Sequence, residues 1–465
     1  MRIITFILSL FIVSLAKAIE IPSSKQVGPQ CMPDTIKKIT APFEVGEFRH
    51  PVFPNRRIVV RMVQNGLSTR EIQQAIDKIA KEGGGTVIIP EGVWSSGRIE
   101  LKSNVCLHVS DGAVIQFSGE ISDYLPAVFT RIEGIELYSL GAMIYANDAE
   151  NIGVTGRGKL IGPSSDCLIM KQSEATALNV DKTVGTIPLD KRIFDGQANE
   201  AVFLPMFIAP INCKNVFIEG ITLERSLFWN IVPQYCDGVI IRGVTVNSFG
   251  HGRTDGIDID SSRNVLIEYC SLDCGDDTYT MKSGRGEDGI NVGRTTENVV
   301  IRYCLAKRGA GGIVCGTETA GEIHNIYMHD CVFDGTDMAF RFKTRRPRGG
   351  GVNGIFIERV RANVKGQAFF CDMLGSSRWV GELADRLPVR EINRLTPNFK
   401  NIYICDVIIE HSGEFVDAIG LPERPLQNVQ LVNIEGNSEK LGRMQDMENL
   451  QLNGIRINIV PPIKE

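Results

Sequence analysis

The stretch NVLIEYC at residues 264–270 decides the fold, because the same short frame recurs through the second half of the chain. Its other copies are NVFIEGI (215–221), GVIIRGV (238–244), NVVIRYC (298–304), NIYMHDC (325–331), GIFIERV (354–360), NIYICDV (401–407), NVQLVNI (428–434) and NLQLNGI (449–455). Most spacings fall between about 21 and 34 residues, a period typical of solenoids. Inside the frame, Val265 and Ile267 alternate with polar residues and Glu268 is expected to face outward. This pattern predicts a strand with one buried face in every repeat.

Strands that recur without helices between them predict a right-handed parallel β-helix, an all-β solenoid in which each coil pairs with the next. The Asn or Gly that opens each frame suits a tight turn, where a left-handed backbone is tolerated. The 47 glycines and the 7% aromatic content also favour an all-β chain. A β-sandwich is the alternative architecture.

The N-terminal side of the repeats predicts a cap for the solenoid. STREIQQAIDKIAKEGGG (68–85) reads as an amphipathic helix with Ser68 as N-cap, Glu71 completing a capping box and glycines 83–85 ending it. Its apolar face contains Ile72, Ile76 and Ile79. We therefore expect residues 19–65 to form an N-terminal extension and residues 66–460 the β-helix domain. Two stretches without the repeat, 163–200 and 361–400, are expected to form loops that wall a groove.

The first 18 residues predict a secretory signal peptide. Arg2 supplies a positive start, Ile3 to Leu15 an apolar core, and Ala16-Lys17-Ala18 a small-residue cleavage site. A membrane anchor is the weaker reading, because the apolar run is short for a span. The sequence therefore predicts export, periplasmic or secreted, after cleavage near Ala18.

The net charge of the chain disfavours some classes of binding partner. The formal charge of −5 becomes about −7 without the leader, which disfavours nucleic acid and anionic membranes as general partners. We expect a monomer with no membrane span in the mature chain.

Of the 12 cysteines, Cys270, Cys304 and Cys331 occupy a frame position filled elsewhere by Ile or Val. We expect these three to be stacked, buried thiols.

An acidic cluster lies between two repeats. Asp255 stands 21 residues before Asp276 and 22 before Asp277, a distance of one coil. Adjacent coils lie about 4.8 Å apart, so the three carboxylates should meet on one face.

These residues carry a resemblance. TDGIDIDSSRNVLIEYCSLDCGDDTYTMKSG (254–284), followed by AFRFKTRR (339–346), resembles the ordered motifs of the polygalacturonases, family 28 of the glycoside hydrolases. The resemblance extends over roughly residues 66 to 460 and implies a right-handed parallel β-helix that hydrolyses galacturonosyl bonds in pectin with inversion. It implies no cofactor and no metal, and an acidic plant cell-wall polysaccharide or its oligosaccharides as the partner.

The resemblance also implies roles for particular residues. Asp276 matches the general acid, and Asp255 and Asp277 match the pair that activates water. Arg341 and Lys343 match the pair that binds the uronate carboxylate. Physical chemistry supports these roles, because inversion needs an acid and a base on opposite ring faces, and crowded carboxylates raise at least one pKa.

A cationic strip near the second motif suits an anionic sugar, although a solvated basic loop is the alternative. The strip contains Arg341, Lys343, Arg345, Arg346 and Arg348.

Two positions depart from the family pattern. Arg253 stands where the family has asparagine, and Ala310 where it has the histidine of Gly-His-Gly. The GHG at 250–252 lies upstream in the wrong coil, so we expect His251 to be a turn residue without a catalytic role. Ala310 admits three interpretations: a different pectic linkage, as in rhamnogalacturonan-cleaving relatives; replacement by Arg253 or Lys282; or a weak or inactive sugar binder.

The sequence leaves three functions open. The first is an exported pectic hydrolase, which the two insertions hint is exo-acting. The second is a calcium-dependent pectate lyase, since stacked aspartates could bind Ca²⁺. The third is a non-catalytic pectin-binding protein.

Overall fold

The computed structural model describes residues 20–63, 65–176, 180, 184–197 and 200–462. The predicted signal peptide lies outside these residues. The described chain winds into a right-handed parallel β-helix, in which strands of successive coils pair in parallel and the connections take the hand usual for parallel crossovers. The predicted fold is confirmed.

Three faces run along the solenoid. The longest series of a 20-stranded sheet contains Arg57–Val59, Gly85–Ile89, Val105–Val109, Glu150–Gly156, Lys214–Glu219, Asp237–Arg242, Arg263–Glu268, Thr296–Arg302, Ile323–Asp334, Gly351–Asn363, Asn398–His411, Leu426–Ser438 and Met447–Ile459. The second series of that sheet contains Gly92–Ser96, Ala113–Phe117, Lys159–Ile161, Thr222–Glu224, Thr245–Ser248, Ser271–Cys274 and Leu305–Ala306. The third face begins with the strands Ile99–Glu100, Ala142–Asn147 and Met206–Ile211. It continues as a 7-stranded sheet of Ile257–Asp260, Tyr279–Lys282, Gly311–Cys315, Met338–Lys343, Gln367–Asp372, Glu414–Ile419 and Gly442–Gln445.

The repeated frames coincide with the longest series. Val265 pairs with Val239 on one side and with Val299 on the other, so apolar frame positions stack into a buried ladder. The opening residue of every frame has a positive φ, for example 56° at Asn264 and 76° at Gly238. The predicted left-handed turn is thus confirmed. Asparagine side chains also bond from coil to coil there, as Asn325 does to Asn298 at 3.0 Å.

Glu268 differs from its prediction. It points away from the coil interior, as expected, but it is fully buried rather than exposed. Arg242 and Arg302 donate to its carboxylate at 2.9 and 2.7 Å. The N-terminal segment covers this group, because Arg242 and Arg302 also bond to the carbonyl oxygens of Pro33 and Lys37.

The N-terminal segment, residues 20–56, lies against the outside of the β-helix. Its apolar side chains, including Phe43 and Phe48, pack on an outward-facing stripe that includes Leu266 and Val300. This part of the extension predicted at 19–65 covers the sheet and reduces its exposed apolar area, whereas Arg57–Val59 pairs with the next strand as the first strand of the solenoid.

The described residues include four α-helices: α1 Thr69–Lys81, α2 Leu168–Thr176, α3 Gly286–Val292 and α4 Ser377–Val380. Helix α1 closes the first coil through the predicted apolar face of Ile72, Ile76 and Ile79, all fully buried. The predicted capping box is wrong: Ser68 precedes the helix but its side chain makes no cap hydrogen bond. Its hydroxyl instead accepts from the Val63 amide at 3.4 Å.

Short 3₁₀ helices lie at Pro29–Cys31, Ile121–Tyr124, Val184–Thr186, Leu189–Lys191 and Gly381–Ala384. An antiparallel hairpin, Val128–Ile132 with Ile135–Ser139, projects from the solenoid. No helix within the described residues is long and apolar enough to cross a membrane.

The cysteines behave as predicted. All twelve are free thiols, and Cys270, Cys304 and Cys331 are fully buried. Cys331 pairs in register with Val360, which in turn pairs with Val407. The thiols therefore fill the same ladder as the aliphatic side chains.

Candidate active site

All eight predicted site residues line one cleft of about 960 Å³ on the 7-stranded face. They are Asp255, Asp276, Asp277, Arg341, Lys343, Arg253, Lys282 and Arg345. The register explains the meeting of the carboxylates: the Gly256 amide donates to the Asp277 carbonyl oxygen at 2.8 Å, which sets Asp255 beside Asp277 one coil away. The predicted stacking of the three aspartates on one face is confirmed, whereas their roles stay predictions.

Asp277 lies at the floor of the cleft and is fully buried. Arg341 donates to one carboxylate oxygen at 2.5 Å, and Lys343 donates to the other at 2.6 Å. Both cations extend from the strand Met338–Lys343, where residues 341 and 343 share a face. Burial alone would raise the pKa of Asp277, but Arg341, Lys343 and Lys282 outweigh it and hold the pKa well below its usual value. Asp277 is therefore an anion throughout the ordinary pH range.

Asp276 faces the cleft opening, with 36% of its side chain exposed. Its Oδ1 accepts from the Asp277 amide at 3.0 Å, and Arg341 lies 3.9 Å away. Of the two adjacent carboxyls, Asp276 is thus the one that a bound sugar can reach.

Asp255 is buried beside a second cation. Lys282 Nζ lies 3.4 Å from Asp255 Oδ2 and 4.4 Å from the centre of the Trp229 ring. Burial, followed by the negative charge of Asp258, raises the pKa of Asp255 well above its usual value despite Lys282. A raised carboxyl pKa is expected from crowding, but burial contributes more to it here than the neighbouring charges do.

The cleft is walled by three separate stretches. Glu133 comes from the tip of the hairpin, Glu174 from the insertion at 163–200, and Trp379 from the insertion at 361–400. The predicted position of the two insertions beside the groove is confirmed. Trp379 is half exposed, and Arg345 lies 5.6 Å from its ring centre.

The cationic strip divides between the cleft and the protein interior. Arg345 and Arg348 line the cleft. Arg346 instead binds Glu423 at 2.6 Å and is nearly buried, so it stabilises the loop rather than facing a ligand. Arg253 is 60% exposed at the cleft edge, 3.6 Å from Glu133.

The departure at Ala310 places an alanine on the coil next to Asp276. The Ala310 amide donates to the Asp276 carbonyl oxygen at 3.0 Å, one coil beyond it. His251 reaches the cleft from the other side, and its ring nitrogens face the carbonyl oxygens of Gly252 at 2.6 Å and Ser226 at 3.1 Å. These backbone contacts agree with the predicted turn position of His251.

Sequence reasoning missed several charged residues of this site. Glu318 and Arg285 line the cleft and bind each other at 2.8 Å, and Asp258 lies 3.5 Å from Lys282. Asp258 could have been found from its spacing, since it lies two residues before Asp260 on a strand whose alternate residues are apolar. Glu318 and Arg285 carry no comparable local signal.

Comparison with known proteins gives a consistent family. A sequence model of the family described as Glycosyl hydrolases family 28 matches residues 191–372. A probable polygalacturonase of Vitis vinifera is 26% identical over 380 residues, covering 79% of this chain and 70% of that protein. An exo-poly-alpha-D-galacturonosidase of Dickeya chrysanthemi is 24% identical, covering 65% of this chain and 54% of that protein.

Solved structures show the same architecture. A hyperthermoactive exopolygalacturonase from Thermotoga maritima superposes with a TM-score of 0.76 and 29% identity, covering 88% of this chain and 94% of that one. A polygalacturonase from Erwinia carotovora has a TM-score of 0.59 at 20% identity, covering 92% of this chain and 100% of that one, and shows the fold alone. With the carboxylate cluster in place, these matches indicate a polygalacturonase-like glycosidase that hydrolyses O-glycosyl bonds and is similar, over residues 191–372, to glycosyl hydrolases family 28.

Proposed function

We propose that this chain hydrolyses galacturonosyl bonds in pectic polysaccharides or their oligosaccharides, with inversion and from chain ends. One observation carries the proposal: three aspartates on adjacent coils line one cleft together with Arg341 and Lys343. Carboxyl groups supply the acid and base of glycoside hydrolysis, and the cations match the negative charge of a uronate chain.

The acid step belongs to Asp276. Its half-open position lets it donate a proton to the glycosidic oxygen as the bond to C1 breaks. The leaving sugar departs as an alcohol, and Asp276 becomes a carboxylate. Proton donation by a positioned acid typically contributes a rate factor of about 10² to 10⁴.

The water step belongs to Asp255 and Asp277. Asp277 is held ionised by its two cations and can orient a water molecule by accepting a hydrogen bond. Asp255, in its ionised form, takes the proton of that water as the oxygen attacks C1. Attack from the face opposite to the leaving group inverts the anomeric centre.

The uronate carboxylate requires cations that face the cleft. Arg341 and Lys343 are partly exposed and already share one carboxylate, that of Asp277. A substrate carboxylate can approach the same two side chains from the solvent side, with Arg345 and Arg253 further along the wall. The charge of the site therefore selects an acidic sugar over a neutral one.

The walls of the cleft support action at chain ends. The hairpin and both insertions contribute to the lining, which encloses the site more than an open groove would. The Thermotoga maritima relative is described as an exopolygalacturonase, and this similarity supports the same mode here. The proposal also includes export, because a cell-wall polymer is reached only outside the cell.

The test is product analysis on polygalacturonate and rhamnogalacturonan in parallel, with a chelator present. We expect new reducing ends with inverted anomeric configuration, and the preferred polymer would reveal the effect of Ala310. An unsaturated product that absorbs in the ultraviolet and disappears with chelator would favour a lyase. Binding without product from either polymer would favour a non-catalytic protein.

A further inference from the structure

A buried charge cluster lies beneath the candidate active site. Lys282 Nζ is 3.4 Å from Asp255, 3.5 Å from Asp258 and 3.6 Å from Glu318. All four side chains are at least nine-tenths buried, and the Trp229 ring covers the ammonium group at 4.4 Å. One cation therefore faces three carboxyl groups in a place that water hardly reaches.

Glu318 has its own partners. Arg285 binds it at 2.8 Å, and Arg348 lies 4.0 Å away. Burial opposes ionisation, yet Lys282, Arg285 and Arg348 hold the pKa of Glu318 well below its usual value. Glu318 is therefore ionised, and Asp255 and Asp258 are left to compete for Lys282.

Asp258 is a second buried carboxyl beside the same lysine. It is fully buried, and neither carboxylate oxygen accepts a hydrogen bond from any described residue. A buried carboxylate without hydrogen bonds is costly, and two such charges beside one ammonium are costlier still. The pair should retain one proton between them.

We propose that Lys282 and Asp258 are positioning residues that set the protonation state of Asp255: Asp255 and Asp258 share one proton beside Lys282, so the charge on Asp258 governs how easily Asp255 ionises. This inference rests on the proposed function, in which Asp255 accepts a proton from the attacking water. It gives Lys282 an indirect role through Asp255, rather than contact with the sugar.

The surrounding charges agree with this assignment. Besides Lys282, Asp255 and Asp258 experience the negative charges of Asp276, Asp277 and Asp260, and Asp260 is paired with Arg131 at 2.9 Å. Arg341 and Lys343 are engaged with Asp277, and Arg285 and Arg348 face Glu318. Burial raises the pKa of both carboxyls, that of Asp258 to about 7 and that of Asp255 well above its usual value, so the pair keeps a proton at mildly acidic pH.

The first test compares pH profiles of kcat/KM on the preferred pectic substrate. Asp258→Asn removes the competing charge, so Asp255 should ionise more easily and the acidic limb should move down by about one pH unit. Lys282→Met removes the stabilising cation, so the same limb should move up and kcat should fall. Thr280→Val is the matched control, because Thr280 is buried opposite Asp258 on the next strand and its hydroxyl has no hydrogen-bond partner among the described residues. Its acidic limb should stay in place.

A uniform loss of activity without displacement of either limb would overturn the proposal. If Lys282→Met does not fold, Lys282→Arg is measured in its place. Arginine keeps the positive charge, so the acidic limb should lie closer to its wild-type pH than it would with a neutral residue. If the acidic limb of the Asp258→Asn profile stays at the wild-type pH, the proposal is overturned whatever the lysine variants do.

A second test does not depend on activity. A group whose folded pKa is raised loses stability as pH rises from its unfolded value, about 4, through its folded value. The difference in Tm between Asp258→Asn and wild type should therefore increase from pH 4 to pH 7. The difference in Tm between Thr280→Val and wild type should not change with pH. If the chain degrades no pectic substrate but this difference appears, the proposed function fails and the shared proton stands. A difference that is flat with pH sinks the shared proton, even in an active enzyme.

Discussion

Asp276 and Asp277 are neighbours in the chain but occupy opposite environments. Asp277 turns into the floor and meets Arg341 and Lys343, whereas Asp276 turns toward the opening. Successive residues of an extended chain point to opposite sides, so a pair of adjacent aspartates yields one buried anion and one accessible acid. This difference, rather than the number of carboxyl groups, separates their roles.

Asp276→Asn should abolish most of the hydrolysis. The amide keeps the size of the side chain but donates no acidic proton, so kcat should fall by about 10³ while KM changes little. The measurement is release of reducing ends from the preferred pectic substrate.

Asp337→Asn is the control for this change. Asp337 lies on the next coil beyond Ala310, its side chain is 58% exposed, and Lys365 lies 3.8 Å from it. Its neutralisation should leave kcat near the wild-type value. Full activity in Asp276→Asn would show that Asp276 is not the general acid. A wild-type protein that binds the substrate but releases no reducing ends would indicate a binding protein.

Lys343→Met should destabilise the protein in a pH-dependent manner. The folded pKa of Asp277 is lowered, so Asp277 contributes stability above its unfolded pKa, about 3.9, and that contribution is lost as pH falls. Without Lys343 the contribution is smaller, and the free energy of unfolding at pH 6 should fall by about 2 kcal/mol.

The sign of the pH effect is the sharper part of this prediction. The gap between wild type and Lys343→Met should stay constant from pH 6 to about pH 4 and narrow below that, because the wild type then has more of this stability to lose. Urea unfolding at about pH 6, pH 4 and pH 2 measures it. Lys365→Met, which removes an exposed lysine paired with Asp337, should show a small gap that does not change with pH.

The strands of the β-helix could be predicted because their signal is local and repeated. Val265 and Ile267 alternate with polar residues, and Asn264 marks the turn where its φ is 56°. Each coil repeats these constraints, so the register places Asp255 beside Asp277 without further information. Fold and carboxylate cluster therefore follow from periodicity alone.

Contacts between distant stretches could not be predicted in this way. Glu133 reaches Arg285 across 152 residues of sequence, and Arg242 bonds to the Pro33 carbonyl oxygen across 209. The burial of Glu268 depends on that second contact. No period in the sequence marks such meetings, because each occurs once and is decided by how the loops and the N-terminal segment pack.

Helix α1 offers a test at the scale of one element. Ile76→Ala should cost about 2–5 kcal/mol in free energy of unfolding, because it leaves a cavity between the helix and the first coil. The measurement is urea unfolding combined with hydrogen exchange of the strand Gly85–Ile89, which should lose protection first since neighbouring coils stabilise each other. Lys78→Ala on the exposed face is the control, and its stability should stay within about 0.5 kcal/mol of wild type. Equal effects of the two changes would mean that α1 does not cap the core.

At the scale of the whole molecule, the loops decide how a polymer enters. The strands alone would leave a groove open along the solenoid, because similar coils follow one another and none of them blocks it. The hairpin carrying Glu133, the insertion carrying Glu174 and the insertion carrying Trp379 enclose that groove around the aspartates. A chain end fits such an enclosure more readily than the middle of a polymer, because a continuing chain would have to pass through a wall.

The proposed action at chain ends can be measured on polygalacturonate. If only chain ends enter, reducing ends should accumulate while the viscosity of the solution falls slowly, and the smallest sugar units should appear from the first time point. Cleavage in the middle of chains shortens every polymer early, so viscosity would collapse while few reducing ends had formed. An endo-acting polygalacturonase run on the same solution supplies that reference curve. If this chain follows the reference curve, the walls do not block the groove, and the cleft must then be open to a continuous polymer at both ends.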